Sequence, residues 1–405
     1  MTTPLILDGA LGTSLIRAGM PAGSCPEEWI LESAEHENVV RDLVRSYVRA
    51  GSRAVYTPTF GANASVLSSH GLSHRAAEFS SRLARLVRET VSEFGFPVSV
   101  FGDLSPTGRF LAPMGDATFD ELVAVYKEQI SAMAPYADAF ISETNLQLAD
   151  ARAALFAAKS VCPEKDFFAT FTLSSDFVTL GGTDVRSAAV ILFSLGARGV
   201  GLNCSMGPAA MQTAIGALSL LRPEQGCILA KPNAGLPDEH GNFSLSPEAF
   251  AAEAKPLFSL GADLLGGCCG TSPEYVRALS SALEGERAER ASAAISDLLA
   301  SERGVFELPA SFPEPLPADE NLMAKLDFSA ESLHLYFETP ASADQAAEVF
   351  CYLVNTPLLF SAATSEAMER ALFLYQGRAA ADLSGFSEKE KEHILTTYSP
   401  VQWKG

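Results

Sequence analysis

Two adjacent cysteines, Cys268 and Cys269, are the residues of this sequence most suited to chemistry. They follow a short apolar run and have glycines on both sides. This pattern is typical of a buried strand that ends in a tight turn, and the Ser-Pro-Glu that follows is a favourable helix start. A third cysteine, Cys204, ends another apolar run. Three sulfurs at the ends of two strands predict a zinc site of the catalytic type, with its fourth position open.

A packing role is the alternative for these cysteines, since a single free cysteine at a strand end is usually a small buried hydrophobe. The adjacent pair is harder to explain by packing. Neighbouring residues on a strand point to opposite faces, so binding one metal with both requires the unusual backbone that flanking glycines permit. We therefore favour a metal or redox role for Cys268 and Cys269.

Composition restricts the class of protein. The chain has 405 residues, of which 47% are hydrophobic and 19% charged, and its formal net charge is −20. About 300 residues suffice for a full α/β core, which leaves about 100 for a further unit. The acidic surface argues against nucleic acid and anionic membranes as partners. No basic leader and no apolar run of about 20 residues is present, so a cytoplasmic protein is expected. Seven cysteines without a disulfide pattern fit a reducing compartment.

Eight short apolar runs alternate with helical segments, and nearly all end in polar or Gly-rich residues. The predicted strands are 4–7, 53–56, 98–102, 139–142, 167–173, 199–203, 227–231 and 262–266. This order predicts an α/β fold, a (β/α)8 TIM barrel, over residues 1–285. An open doubly wound sheet is the alternative, but the glycine fingerprint of a dinucleotide site is absent after the first strand.

The barrel interpretation predicts where the site lies, because active sites of such barrels are at the C-terminal ends of the strands. Six candidate residues follow predicted strands: Asp8, Glu143, Cys204, Asn233, Cys268 and Cys269. Individually, Asp8 and Asn233 could be turn residues, and Glu143 could be a charge at a helix N-terminus. Together they predict a single site at the C-terminal end of the barrel.

Seven segments along the chain carry a family resemblance. They are Asp8-Gly9-Ala10-Leu11-Gly12-Thr13, Thr57-Pro58-Thr59-Phe60-Gly61-Ala62-Asn63, Ser105-Pro106-Thr107-Gly108, Ser142-Glu143-Thr144, Gly201-Leu202-Asn203-Cys204-Ser205, Pro232-Asn233-Ala234-Gly235 and Gly266-Gly267-Cys268-Cys269-Gly270-Thr271. Their order resembles that of the homocysteine S-methyltransferases, and most closely the homocysteine-binding module of cobalamin-dependent methionine synthases. The resemblance covers residues 1–285.

The resemblance implies a (β/α)8 barrel that holds one zinc ion through three cysteines, and it implies methyl transfer to the homocysteine thiol to give methionine. The residues that match the zinc ligands are Cys204, Cys268 and Cys269. Residues expected to bind homocysteine are Asp8, Gly9, Glu143, Asn203 and Asn233. The chemistry is consistent, because a thiol bound to zinc is deprotonated and the thiolate is the nucleophile.

The methyl donor is not defined by the resemblance. Relatives use methylcobalamin on a corrinoid protein, S-methylmethionine or betaine. No corrinoid module with its Asp-x-His-x-x-Gly segment is found, so a methylcorrinoid donor would be carried by a separate protein. Trp29 and Tyr56 could cage a quaternary ammonium group, although both are more often core residues. A Schiff-base lyase that uses Lys231, and a non-catalytic protein that binds homocysteine or a corrinoid partner, are the alternatives from other classes.

The rest of the chain is predicted to form a helix and Pro-rich linker at 286–318 and a small α/β unit at 319–405. Its segment 355–361 and a helix at 365–375 weakly resemble the opening part of a pterin-binding barrel. Phe360-Ser361 and Ala381-Asp382 stand where that family has an acidic residue and Asn-Ser, and about 95 residues cannot close a second barrel. Folate binding is therefore not expected. Dimerisation or docking of a corrinoid protein is the favoured role, and no catalytic role is the alternative.

Overall fold

The structure is a computed structural model that describes residues 1–174, 176–239 and 241–404. Its first sheet contains eight parallel strands in the order β1-β8-β7-β6-β5-β4-β3-β2. They are β1 (Leu5–Ile6), β2 (Ala54–Tyr56), β3 (Ser99–Leu104), β4 (Ala139–Asn145), β5 (Asp166–Phe171), β6 (Gly199–Asn203), β7 (Cys227–Lys231) and β8 (Leu264–Leu265). All eight predicted strands are present, and β6 and β7 have the predicted limits.

Helices follow the strands and surround the sheet. They are α1 (Gly12–Arg17), α2 (Pro26–Glu32), α3 (Ala34–Ala50), α4 (Ala64–Ser68), α5 (Ala76–Val91), α6 (Phe119–Met133), α7 (Leu148–Val161), α8 (Val185–Ser194), α9 (Pro208–Ser219), α10 (Pro247–Leu260) and α11 (Pro273–Ala282). The (β/α)8 barrel prediction is confirmed. None of the helices in the described part of the chain is long and apolar enough to cross a membrane.

The seam between β1 and β2 is closed in part by side chains. No strand ladder joins these two strands among the described residues. Instead the Arg53 N–H donates to the Ile6 carbonyl at 2.8 Å, and the Ser52 hydroxyl donates to the Leu7 carbonyl at 3.0 Å. The Tyr56 N–H donates to Oδ2 of Asp8 at 2.8 Å. A carboxylate at the end of β1 therefore completes the barrel at the end where the site is expected.

Inward-facing side chains fill the barrel, as the two-residue period of a strand requires. This inner cluster includes Leu7, Tyr56, Phe101, Ile141, Phe168, Leu229 and Leu264. The alternate residues pack outward against the helices in a larger cluster. The barrel is thus solid below its mouth.

The helix predicted within residues 286–318 is wrong. Residues 286–297 contain no helix, and an antiparallel hairpin follows, formed by β9 (Leu298–Ala300) and β10 (Val305–Glu307). The charged run that begins at Glu286 lies in this non-helical segment. Its Arg290 is ion-paired with Asp263 at 2.8 Å, and Ala288 forms a β-bridge with Thr2, so these contacts hold the segment extended against the barrel.

A second, five-stranded parallel sheet forms the C-terminal unit, in sequential order from β11 to β15. Its strands are β11 (Leu316–Pro317), β12 (Leu333–Phe337), β13 (Leu358–Ala362), β14 (Ala380–Asp382) and β15 (Val401–Trp403), and its helices are α12 (Leu322–Lys325), α13 (Pro340–Phe350), α14 (Ser365–Leu374) and α15 (Glu388–Tyr398). One face of the sheet packs on these helices. The other is covered by the β9–β10 hairpin, whose Leu299 and Phe306 pack against Leu359 and Val401. Both faces are buried without a second closed barrel.

Arg152 on α7 joins the two units. It is 1% exposed, and its guanidinium donates to the carbonyls of Leu372 and Phe373 at the end of α14, at 2.9 and 3.0 Å. The same guanidinium lies 5.1 Å from the ring centroid of Phe119 and 5.2 Å from that of Phe156. A single side chain thus caps the last turn of a helix in the other unit.

Replacing this side chain should loosen the junction. We expect Arg152→Met to lower the free energy of unfolding by about 3 kcal/mol, because two buried carbonyls lose their donors. Urea denaturation measures the loss, and limited proteolysis should show earlier cleavage between residues 286 and 318. Arg85→Met, at an exposed position of α5, is the control and should change stability by less than about 0.5 kcal/mol. Equal stability of the two variants would contradict the assigned role of Arg152.

Candidate functional site

A cavity of about 420 Å³ lies at the C-terminal ends of the barrel strands. Of the residues expected to bind zinc or homocysteine, six line it: Asp8, Gly9, Glu143, Cys204, Cys268 and Cys269. Asn203 and Asn233 are not among its lining residues; Asn203 ends β6 directly before Cys204, and Asn233 follows β7. The structure therefore brings together the residues that the sequence placed after different strands.

The three cysteines form a compact cluster. Their Sγ atoms all lie within 4.8 Å of one another, and the Sγ atoms of Cys204 and Cys269 are 3.8 Å apart. All three thiols are free. Within the described part of the chain, these three cysteines are the group of potential metal ligands whose ligand atoms lie close enough together to hold one ion.

The backbone explains how two adjacent cysteines reach one centre. Strand β8 ends at Leu265, so Cys268 and Cys269 lie in the turn beyond it and are not bound by strand alternation. Gly270 has φ +83°, and a Cβ atom there would lie 2.2 Å from the Phe243 ring. On the other side, Cys204 itself has φ +60°, a conformation that costs energy for a residue with a side chain. Both loops thus adopt uncommon backbone conformations at the site.

The thiols perturb one another electrostatically. Hydrogen bonds from Cys268 and Cys269 lower the pKa of Cys204, with burial opposing and the Asn233 side chain assisting. The contacts with Cys204 in turn raise the pKa of both Cys268 and Cys269. One negative charge is therefore favoured among the three thiols, and a cation would be needed to hold all three as thiolates.

Asn203 holds the irregular end of β4 next to Glu143. Its Oδ1 accepts from the Thr144 N–H at 2.9 Å, and its Nδ2 donates to the Thr144 hydroxyl at 2.7 Å. Nδ2 also lies 3.9 Å from the Sγ of Cys268. Thr144 has φ +61°, so this amide stabilises an unfavourable turn while linking it to a cysteine.

Lys231 at the end of β7 is buried among the carboxylates of the cavity. Its Nζ lies 3.0 Å from Oδ1 of Asp8 and 3.9 Å from Oε2 of Glu143. Asp8 uses its other oxygen to accept from Tyr56, so both of its oxygens are engaged. Oε2 of Glu143 has no hydrogen-bond partner among the described residues. Burial raises the pKa of Glu143 and Lys231 opposes this rise, so Glu143 is the carboxylate open to a further cation.

The ammonium group of Lys231 also lies over the face of the Tyr56 ring. Nζ of Lys231 is 3.5 Å from the centroid of this ring. Burial lowers the pKa of Lys231, but attraction to Asp8, Tyr56 and Glu143 outweighs burial and raises it well above its usual value. An ion-paired ammonium is a poor amine nucleophile, which argues against the Schiff-base hypothesis. The rings of Trp29 and His36 are stacked, with centroids 3.8 Å apart. Because Lys231 covers Tyr56 and His36 covers Trp29, these two aromatic residues do not form an open cage.

Asp103 is a cavity residue that the sequence analysis missed. It lies in β3, is 5% exposed and has an Oδ1 without a hydrogen-bond partner in the part of the chain that the structure describes. Burial, with repulsion from Glu143, raises its pKa well above the usual value, so a neutral carboxylic acid is favoured. The signal was available, because Asp103 is a charged residue directly after the predicted strand 98–102, but the sequence analysis did not select it.

The cysteine cluster makes a prediction about metal binding. We expect one equivalent of Co²⁺, used as a spectroscopic probe, to give thiolate-to-metal absorption in the reduced wild-type protein. Cys204→Ser should weaken this binding by about a hundredfold or more, because it removes one of three sulfur ligands. Cys227→Ser is the matched control, since Cys227 is buried in β7 outside the cluster. Equal Co²⁺ spectra for both variants would contradict the site.

Known proteins resemble most of this chain. Residues 5–283 match the homocysteine S-methyltransferase family. The chain is 30% identical over 297 residues to a methionine synthase of Mycobacterium tuberculosis, an alignment that covers 69% of this chain and 24% of that protein. The chain thus aligns with about a quarter of the length of that curated relative.

Solved structures agree with the barrel. The metallated form of the homocysteine methyltransferase MmuM from Escherichia coli has a TM-score of 0.58 and 21% identity, and the match covers 69% of this chain and 96% of that one. Its apo form has a TM-score of 0.54 and 20% identity, with the same coverage of both chains. At this identity the likeness establishes the fold. With the match over residues 5–283, the chain belongs to the homocysteine S-methyltransferase family.

Proposed function

We propose that this protein transfers a methyl group to the thiol of L-homocysteine and so forms L-methionine, with Zn²⁺ held by Cys204, Cys268 and Cys269. The observation that carries the proposal is the cluster of three free thiols within 4.8 Å, in the same cavity as Oε2 of Glu143, which has no hydrogen-bond partner among the described residues. Family membership supports the same activity.

The cysteine cluster fits zinc. A tetrahedral site with Zn–S bonds of about 2.3 Å requires sulfur atoms about 3.8 Å apart. The Sγ atoms of Cys204 and Cys269 have this separation, 3.8 Å. Three protein sulfurs leave one tetrahedral position for a substrate thiol. Zinc in this site would lower the pKa of the bound substrate thiol, so that the nucleophilic thiolate is present at neutral pH.

The cavity offers groups for the other end of the substrate. Oε2 of Glu143 can accept hydrogen bonds from the homocysteine ammonium, which would also favour the charged carboxylate. The loop at Gly9 can present backbone N–H groups to the carboxylate of homocysteine. This loop is held by Tyr47, whose hydroxyl donates to the Ala10 carbonyl at 2.8 Å, and by Thr271, whose Oγ1 accepts from the Ala10 N–H at 3.1 Å. Fixing both ends orients the sulfur for attack.

The transfer itself is a displacement at the methyl carbon. The sulfur forms the new S–C bond as the bond between the methyl group and its donor breaks, and the electron pair of that bond leaves with the donor. The thiol proton passes to solvent before the attack. With a methylcorrinoid, the leaving group is the reduced Co(I) corrinoid.

We propose a methylcorrinoid on a separate protein as the donor. The occupied face of Tyr56 and the stacking of Trp29 give no open cage for betaine or S-methylmethionine, which supports this choice over those donors. We further propose a cytoplasmic location, where free thiols persist, and a division of labour in which residues 1–285 bind homocysteine and zinc while residues 319–405, after the linker at 286–318, serve dimerisation or docking of the corrinoid protein.

The proposal is tested with zinc-loaded protein, homocysteine and free methylcobalamin under anaerobic conditions. We expect homocysteine-dependent demethylation of the cobalamin and formation of methionine, and a loss of about a hundredfold or more in Cys268→Ala. Parallel assays contain S-methylmethionine or betaine. Turnover with one of these and none with methylcobalamin would replace the corrinoid donor. Bound zinc and homocysteine without turnover from any donor would favour a non-catalytic binding protein.

Glu143 gives a separate prediction about substrate binding. Glu143→Gln should raise KM for homocysteine by about 10-fold to 100-fold with a small effect on kcat, because a charge-assisted hydrogen bond to the ammonium is lost. Zinc content should be unchanged. Glu121→Gln, on the outer surface at α6, is the control. An unaltered KM in Glu143→Gln would remove this residue from the substrate site.

A further inference from the structure

Asp103 places a further carboxyl group in the wall of the cysteine cavity. Its Oδ1 is buried without a hydrogen-bond partner in the described part of the chain. The backbone of this residue is well anchored, because its N–H donates to the Thr57 hydroxyl at 2.9 Å and its carbonyl accepts from the Thr59 hydroxyl at 2.8 Å. The fold therefore fixes a carboxyl group whose Oδ1 contributes no hydrogen bond to it.

Strand register explains why Asp103 faces the same space as Glu143. In β3, Asp103 is two residues beyond Phe101, whose ring belongs to the cluster inside the barrel, so both side chains point inward. Asp103 pairs with Ile141 of β4, another residue of the inner cluster, and Glu143 is two residues beyond Ile141. The two acidic side chains thus project inward from neighbouring strands, with Asp103 one inward position deeper.

The hydroxyl of Tyr56 is a third polar group of this cavity without a hydrogen-bond partner among the described residues. Tyr56 pairs with Phe101 across β2 and β3, and the two rings are stacked with centroids 5.9 Å apart. The Tyr56 side chain therefore projects inward next to Asp103. Two carboxyl oxygens and one phenol oxygen can each accept a hydrogen bond, and a primary ammonium has three N–H donors.

The buried lysine of the cavity does not neutralise Asp103. Nζ of Lys231 lies 3.0 Å from Oδ1 of Asp8 and 3.9 Å from Oε2 of Glu143, and no ion pair joins it to Asp103 in the part of the chain that the structure describes. Burial, with repulsion from Glu143, raises the pKa of Asp103. A cation between Asp103 and Glu143 would relieve that repulsion and supply hydrogen bonds to both. The charges and acceptors of the cavity thus suit one compact cation with several donors.

We propose that Asp103 is a substrate-binding residue that holds the homocysteine ammonium together with Glu143, with the Tyr56 hydroxyl as the third acceptor. This assignment rests on the proposed function and adds a second carboxylate at the ammonium. Asp103 stabilises a bound ligand only when that ligand carries the ammonium. Asp103 therefore selects primary aminothiols over thiols that carry a carboxylate alone.

Equilibrium binding to the Co²⁺-substituted protein tests the proposal without a methyl donor, because a ligand thiol that coordinates the metal changes its absorption. The ligands are L-homocysteine, 3-aminopropane-1-thiol, which lacks the carboxylate, and 4-sulfanylbutanoate, which lacks the ammonium. We expect Asp103→Asn to weaken binding of the first two by about tenfold to a hundredfold. The Kd of 4-sulfanylbutanoate should change by less than about threefold or become tighter, because no bond to an ammonium is lost and a like charge is removed.

Melting temperature separates this role from a structural one. Asp103→Asn and Asp103→Ser should melt close to the wild-type temperature or above it, because they remove a buried carboxyl group whose Oδ1 lacks a partner. Asp116→Asn is the control, in the loop after the same strand. The Asp116 side chain is 90% exposed and does not line the cavity, so its replacement should leave all three Kd values unchanged.

Three results would overturn the role of Asp103. Equal effects of Asp103→Asn on all three ligands, or no effect, would mean that Oδ1 binds only water or nothing. Weaker binding of homocysteine and 4-sulfanylbutanoate, with 3-aminopropane-1-thiol unaffected, would place Asp103 at the substrate carboxylate. In both cases the wild-type protein still binds homocysteine, and the proposed function stands. Absence of any spectral change with homocysteine in the wild-type protein would contradict the proposed function and this role with it.

Discussion

The buried ion pair between Asp8 and Lys231 joins the closure of the barrel to the chemistry at its mouth. Asp8 ends β1, accepts the Tyr56 N–H across the seam to β2, and pairs with Lys231 at the end of β7. A buried pair of this kind is unfavourable when one partner is lost, because the other charge is left without water. Barrel closure therefore depends on the same carboxylate that lines the cavity. Oε2 of Glu143 and Oδ1 of Asp103 are left without a hydrogen-bond partner in the described part of the chain.

The cysteine cluster depends on backbone that is individually unfavourable. Cys204, Ser205 and Thr144 all have positive φ values, and Gly270 adopts a conformation that a side chain would prevent. Two hydrogen bonds between Asn203 and Thr144, one donated by each residue, tie two of these segments together. Strained residues of this kind persist where surrounding structure holds them, and here the rigid strand ends provide that support. These backbone conformations bring the three sulfur atoms within 4.8 Å of one another.

The C-terminal unit shows how a short parallel sheet can be stable without closing. Its five strands bury one face under helices and the other under the β9–β10 hairpin, so the segment between the two units completes the second core. Arg152 and Arg370 then anchor the unit to α7 and α6. A cavity of about 280 Å³ remains at the junction between the two units.

Much of the barrel and its site followed from the sequence, since apolar runs at β/α spacing define the strands and residues after the runs must meet at one end. The three cysteines, Asp8 and Glu143 were placed at that end of the barrel in this way, and they line its cavity. The extended linker was not, because the ion pair of Arg290 with Asp263 and the bridge of Ala288 to Thr2 are long-range contacts. Likewise, the sequence does not show which of Asp8, Lys231 and Glu143 form ion pairs with one another. Only the tertiary structure decides that Lys231 pairs with Asp8 and lies over the Tyr56 ring while Oε2 of Glu143 has no hydrogen-bond partner among the described residues. The reason is that these distances depend on barrel closure.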